Sequence, residues 1–286
     1  MDKLIAAIYE NPLQYTTFVN DAKSSYVYSS SDIIRVLASS LNVKHRTYIL
    51  NELVLVSPSV FPEIYNMRLS KSDNLTLSLY SLNLDQTYIP TIKINDLGCL
   101  QLLANLQRLS LTYLEINKLN LSKMVNLEEL YINNLYRITS LEDLPPHIKK
   151  LSLKGCRLIT NCNFRELSKY SMLEELTLHS MNLTNLDDLN IPNLKSLIIR
   201  ECSWITQVDN LDKMKLLETL SITHSYKIKN INLSNLPNLI NFELWSTCCD
   251  RLKLCNLPKL INFKSNSNSD LTDIQIKECP IYQASA

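Results

Sequence analysis

Glycine is almost missing from this 286-residue chain, which has 2, Gly98 and Gly155. They lie far apart, so no phosphate-cradling loop, three-glycine dinucleotide fingerprint or Gly-x-Ser-x-Gly nucleophile elbow can be written anywhere. An excess of either charge is missing too: Lys+Arg number 29 against Asp+Glu 28, for a net charge of +1. With both signs interspersed there is no basic face for a phosphate backbone and no polybasic anchor for an anionic membrane. Neither nucleic acid nor membrane is therefore an expected partner. Long apolar runs are lacking as well. The stretch from Leu4 to Tyr9 is too short for the apolar region of a signal peptide, and nothing downstream approaches the roughly 18 residues of a membrane span. Cytoplasm or nucleus is the expected location.

The 8 cysteines are irregularly placed and none falls in a Cys-x-x-Cys pair, so they read as free thiols, most of them buried. Cys248, Cys249 and Cys255 come nearest to a metal set. No histidine or fourth thiol stands at ligand spacing, and neither a metal nor any other cofactor is expected.

What is present is leucine at a fixed period. The pattern L-x-x-L-x-L recurs every 21 to 25 residues, beginning at Leu106, Leu127, Ile148, Leu173, Leu194, Leu217, Leu239 and Leu260. That period lies in the leucine-rich-repeat window and below those of ankyrin, TPR, armadillo or WD40 units. The fourth and sixth residues of each unit, such as Leu109 and Leu111 or Leu197 and Ile199, alternate with polar neighbours, which predicts one short half-buried strand per unit. No unit can bury its apolar edge alone, so neighbours must stack into one continuous core.

The expected fold is an α/β leucine-rich-repeat solenoid. A curved parallel sheet forms its concave side, and short helices mixed with extended turns form the convex side. Residues 73–286 make the solenoid and residues 1–72 a small helical N-terminal region. Leu79, Leu82 and Leu84 are expected to open a degenerate earlier unit. In the longer unit from Ile148, Asn161 or Asn163 caps a short helix carrying Phe164 and Leu167. At the ninth position Leu114 and Leu135 stand where later units place compact residues, which predicts irregular turns early in the stack. Ile274, Ile276 and the stretch Pro280 to Tyr282 are expected to close the core as a C-terminal cap.

The N-terminal region has helical spacing at Ile33, Ile34, Leu37 and Leu41, behind the capping candidates Ser31 and Asp32. A second apolar run follows with Leu53, Leu55, Val56 and Phe61. A helical cap over the first repeat explains these residues. The same stretch also resembles an F-box, the helical segment by which substrate receptors dock onto the Skp1 subunit of cullin-based ubiquitin ligases. Leu151 to Asn161, with Cys156, resembles the cysteine-containing leucine-rich repeat that such receptors carry. The resemblance implies an adaptor-docking set of Ile33, Ile34, Leu37, Leu53, Val56 and Phe61. The segment departs from the pattern in lacking an opening Leu-Pro pair and in carrying Pro58 and Pro62 where helix is expected.

Third, fifth, seventh and eighth residues of each unit are expected on the concave face, aligned in columns about 4.8 Å apart. Tyr131, Lys154, His179, Arg200, Glu201, His224, Glu243, Trp245 and Lys264 fall in these columns and form the candidate partner-binding set, a mixture of aromatic and charged groups suited to a protein surface. Trp245 leads it, and Glu243 and Lys264 are placed to pair. His179 and Glu201 could serve as base and acid, but an open face neither shifts pKa values nor excludes water. These residues predict a non-enzymatic protein-interaction module with a protein partner and no small-molecule substrate. It acts either as an F-box-like substrate receptor of a ubiquitin ligase or as a stand-alone scaffold, regulator or pathogen effector.

Overall fold

The computed structural model describes residues 75–80, 106–112, 116–265 and 271–279. The predicted helical region of residues 1–72 lies outside them, as do Leu82, Leu84, Leu114 and Pro280 to Tyr282.

One strand per repeat builds the first sheet. In order across it lie β1 (Leu75–Tyr80), β2 (Leu106–Thr112), β3 (Glu129–Asn133), β4 (Lys150–Lys154), β5 (Glu175–His179), β6 (Ser196–Arg200), β8 (Thr219–Thr223), β10 (Asn241–Trp245) and β12 (Asn262–Ser265). Every pairing is parallel, and equivalent positions face each other: Leu109 opposite Leu130, Leu130 opposite Leu151, Leu151 opposite Leu176. From β2 to β10 the fourth and sixth side chains of each unit point inward and are fully buried, Phe242 in β10 being the largest of them. Each such Leu or Ile contributes roughly 1.5–3 kcal/mol of transfer free energy. Register also places the first unit. Leu77 and Leu79 of β1 pair with Leu109 and Leu111, so Leu79 takes the sixth position of that unit rather than the expected first.

The chain leaves β3, β4, β5, β6, β8 and β10 through a left-handed residue at the eighth position. Asn134, Gly155, Ser180, Glu201, His224 and Ser246 all have φ between 50° and 63°. The conformation turns the backbone inward while its N–H still serves the ladder: Asn134 donates to the Lys154 carbonyl at 2.7 Å and His224 to that of Trp245 at 2.9 Å. The ninth residue then drops into the core. Leu135 is buried like Cys156, Met181 and Cys202, so the turn at Leu135 is as regular as the rest and the expected irregularity is absent there. A leucine fits because the ninth position requires burial and the eighth alone carries the unusual dihedral angle.

The convex side departs from expectation more strongly. It carries a second parallel sheet of four strands, in the order β13 (Asp273–Lys277), β11 (Arg251–Cys255), β9 (Asn230–Ser234) and β7 (Gln207–Val208). The local cause is period-two burial, with Ile231 and Leu233, then Leu252 and Leu254, inward and Asn230, Asn232 and Lys253 outward. These strands end on left-handed residues too: Asn235, Asn256 and Glu278 precede the buried Leu236, Leu257 and Cys279. The longer unit from Ile148 spends its extra residues on a 3₁₀ helix, Asn161–Lys169, which buries Phe164 and Leu167. Thr160 is its N-cap residue, and Asn163 reaches back to accept the Thr160 N–H at 2.9 Å. At the C-terminal end Ile274 is 50% exposed and Ile276 only partly buried. Ile274 therefore does not close the core as predicted, because β13 is the edge strand of the second sheet with no later strand among the described residues to cover it.

Candidate functional site

Five adjacent strands, β4, β5, β6, β8 and β10, set their seventh residues in one row: Lys154, His179, Arg200, Thr223 and Trp245. Lys154 and Arg200 are exposed, and neither makes an ion pair among the described residues. His179 is largely covered, and its Nε2 lies 3.0 Å from Oε2 of Glu201. The Glu201 carboxylate also accepts the Ser180 hydroxyl at 3.0 Å. The His179 contact, then the Ser180 bond, hold the Glu201 carboxyl below its usual range. Trp245 is half-buried.

Thr223 is the unexpected member. It is 9% exposed although it faces the concave side, and its hydroxyl is buried without a hydrogen-bond partner. Ser221, two residues earlier, is covered to a similar degree, and its hydroxyl meets Glu243 at 3.5 Å. Both are small residues in register between larger ones, Ser221 between Ile198 and Glu243, Thr223 between Arg200 and Trp245. An orphaned buried hydroxyl costs roughly 1–3 kcal/mol. That cost falls inside the row, between Arg200 and Trp245.

The remaining candidates separate into groups. Tyr131 donates its hydroxyl to Glu129 at 2.8 Å, and Glu129 also accepts from Arg108 at 2.9 Å. Partial burial, then the bond to Glu129, raise the Tyr131 pKa. Glu243 and Lys264 pair loosely at 3.8 Å, both substantially exposed, an arrangement worth little. Glu201 and His224 occupy the left-handed eighth position, so they stand at the rim where the chain turns out of the sheet. The adaptor-docking residues Ile33, Ile34, Leu37, Leu53, Val56 and Phe61 lie outside the described residues. Among those described, no group of three or more His, Cys, Asp or Glu side chains is arranged to hold a metal ion. No helix there is long and apolar enough to cross a membrane.

Two features went unread in the sequence. Beyond the rim, the tenth and eleventh residues of several units expose large side chains: Tyr136, Leu158, Trp204 and Tyr226. The Lys227 ammonium lies over the Trp204 ring, 3.7 Å from its centroid, and the His224 ring meets Tyr226 edge-on at 6.4 Å. The recurrence of apolar residues at polar-rim positions was the available signal. The second feature is charge that alternates from repeat to repeat at the second and third positions. Arg108 pairs with Glu129 at 2.9 Å, Lys149 with Glu128 at 2.8 Å, Lys150 with Glu175 at 2.7 Å, and Lys195 with Glu174 at 3.0 Å.

One parallel strand per leucine-spaced unit, an inward aliphatic column and an outward row of mixed polar and aromatic side chains define a leucine-rich-repeat solenoid with an open concave face. No family model matches the chain. A disease-resistance-like protein of Arabidopsis thaliana is 31% identical over 161 residues, which is 46% of this chain and 13% of that protein, so the chain spans about an eighth of its relative. Internalin C2 of Listeria monocytogenes superposes with a TM-score of 0.44 at 22% identity, over 73% of this chain and 83% of that one. The leucine-rich-repeat domain of the type III effector XopL gives 0.43 at 16% identity, over 94% and 97%. The fold assignment rests on the chain's own strand order and register.

Proposed function

We propose that the chain is a non-enzymatic protein-interaction module that holds a segment of another protein along the row Lys154, His179, Arg200, Thr223 and Trp245. The observation that carries this is the pairing pattern of the concave face. Among the described residues its carboxylates Glu201 and Glu243 are met by His179, Ser180 and Lys264, while Arg200 forms no ion pair and Lys154 acts on Glu201 only at longer range. A half-buried indole lies two strands beyond Arg200, across the orphaned Thr223 hydroxyl. Such a face suits a segment that brings a carboxylate to the cations and an apolar group to the indole.

A partner identified by co-purification with the full chain provides the test. Trp245→Ala should weaken its binding by at least about 2 kcal/mol while leaving the melting curve nearly unchanged. Arg200→Ala should cost more affinity at low salt than at high salt. Equal losses of stability and affinity for Trp245→Ala would place the indole in the core and end the proposal.

The F-box resemblance supports a second, finer reading in which the chain is a substrate receptor of a cullin-type ligase, working in the cytoplasm or nucleus. Its support is the apolar spacing of Ile33, Ile34, Leu37, Leu53, Val56 and Phe61. Purified Skp1 should then be captured by the full chain, and Leu53→Ala with Phe61→Ala should abolish capture. Absence of capture by the unaltered chain leaves the scaffold reading.

A further inference from the structure

Three turns at the rim beside the concave face present their side chains from a rigid base. Arg157 and Leu158 are the central residues of a turn closed by the Ile159 N–H, which donates to the Cys156 carbonyl at 3.2 Å. Ser203 and Trp204 hold the same places between Cys202 and Ile205, and Tyr226 and Lys227 between Ser225 and Ile228, with bonds of 3.2 and 3.3 Å. All six flanking residues are buried, whereas Leu158, Trp204 and Tyr226 are close to half exposed. With both ends of each turn anchored in the core, the backbone cannot swing these apolar side chains inward, and they stay in water.

The unit from Leu173 interrupts the series. Its Leu183, at the place of Leu158 and Trp204, is buried, and Asn182 alone stands at the surface, its amide donating to the Arg157 carbonyl at 3.2 Å. Leu158 and Trp204 therefore stand two repeat steps apart, about 10 Å at the strand spacing, on either side of a recess floored by Asn182. Charge along this rim has one sign. From Arg157 to Cys249 the tenth and eleventh positions include Arg157, Lys227 and no acidic residue, in a chain whose charges otherwise balance. Neither cation makes an ion pair among the described residues, and the Lys227 ammonium is held over the Trp204 ring at 3.7 Å. The one carboxylate at the adjoining eighth positions, Glu201, is taken by His179 and Ser180.

From this geometry we infer a second binding surface, apart from the concave row: the recess between Leu158 and Trp204 holds an acidic segment of another protein. One apolar side chain of that segment lies over Asn182, and the carboxylates that flank it reach Arg157 and Lys227. The width suits a single extended chain, since layers whose side chains interdigitate lie about 10 Å apart. Tyr226 continues the apolar wall on the Trp204 side. An anionic bilayer is the poorer occupant, because the apolar side chains flank a recess and do not form one continuous protruding face. Single-stranded nucleic acid is poorer too, because the Lys227 ammonium covers a ring face on which a base would stack.

A fluorescein-labelled peptide of eight glutamates interrupted by two leucines and a phenylalanine, titrated with the full chain in about 0.1 M salt, tests this by anisotropy. It should bind with a dissociation constant of about 100 μM or tighter, and its glutamine counterpart at least about tenfold more weakly. Trp204→Ala should weaken binding at least about tenfold, as should Arg157→Glu combined with Lys227→Glu. That doubly reversed chain should instead bind the peptide with lysine in place of glutamate. Lys213→Glu combined with Lys253→Glu makes the same change in net charge on the convex side and should alter binding less than about twofold. All the altered residues are exposed, so the melting curves should coincide. No binding by the unaltered chain, equal losses for the convex and rim exchanges, or tighter binding of oligothymidylate or phosphatidylserine vesicles than of the peptide would overturn the inference.

Discussion

Gly155 stands in a column whose other members have side chains, and its neighbour explains why. At φ +63 it adopts the same left-handed turn as Asn134 and Ser180, but a Cβ built there collides with the Asn134 side-chain oxygen. Gly155→Ala should therefore destabilise the chain by more than the ~1–2 kcal/mol of the left-handed conformation alone, measured by denaturant unfolding. Asn134→Ala in the same background should recover part of the loss. The thiols provide a second test. Cys156, Cys202 and Cys249 have pKa values pushed up to about 11 by burial, against which their backbone hydrogen bonds work only weakly. At pH 8 they should resist alkylation in the folded chain while the exposed Cys162 is modified, and mass spectrometry of timed digests reads the difference. Labelling of Cys202 as fast as Cys162 would show that the ninth position is not sealed. The eighth position was poorly legible in the sequence. Asn134, Gly155 and His224 favour a left-handed backbone, but Ser180 and Glu201 do not, so only the structure reveals their shared geometry.

Individual strands differ in how openly the sequence displays them. Those of the first sheet are legible because leucine returns to the same two inward positions unit after unit, and a stack of repeats has no other place to bury it. Strands β9 and β11, five residues each like β3 to β6, are hidden because their alternation recurs only in the last units of the stack. Ile231 and Leu233 make one alternation each side of Asn232, too little to distinguish a strand from a convex turn, and the parallel partner that completes the ladder lies 21 residues away. The Asn161–Lys169 helix was legible through Asn163 and the pair Phe164 and Leu167, since their spacing has helical period. Phe164→Ala should cost about 3–5 kcal/mol, as a buried aromatic does, and should loosen the Tyr170 hydroxyl bond to the Leu141 carbonyl, now 2.9 Å. Hydrogen exchange localised to residues 141–170 would report it. Rim aromatics such as Trp204 escaped sequence reading because they fall between the strands that the leucine pattern marks.

Taken as one body, the solenoid holds together through contacts between nearest repeats, so its stability is close to a sum over neighbours. The open face and its row of seventh-position residues could be located from the period alone. Which members would be covered could not, because the burial of Thr223 depends on the sizes of the residues that register sets beside it, Arg200 and Trp245. The ladder of opposite charges at the second and third positions has a parity. Glu128 and Glu129 stand between a repeat bearing Arg108 and one bearing Lys149 and Lys150, and Glu174 and Glu175 follow. Excising residues 148–172, a single repeat, abuts four carboxylates. Excising residues 127–172, two repeats, brings Arg108 back beside Glu175. The longer deletion should melt at the higher temperature for its length, although it removes more core. Sequences descended from this one by loss or duplication would then be expected to change in even steps, since the smallest unit that can be copied without offending its neighbours is a couple rather than a single turn.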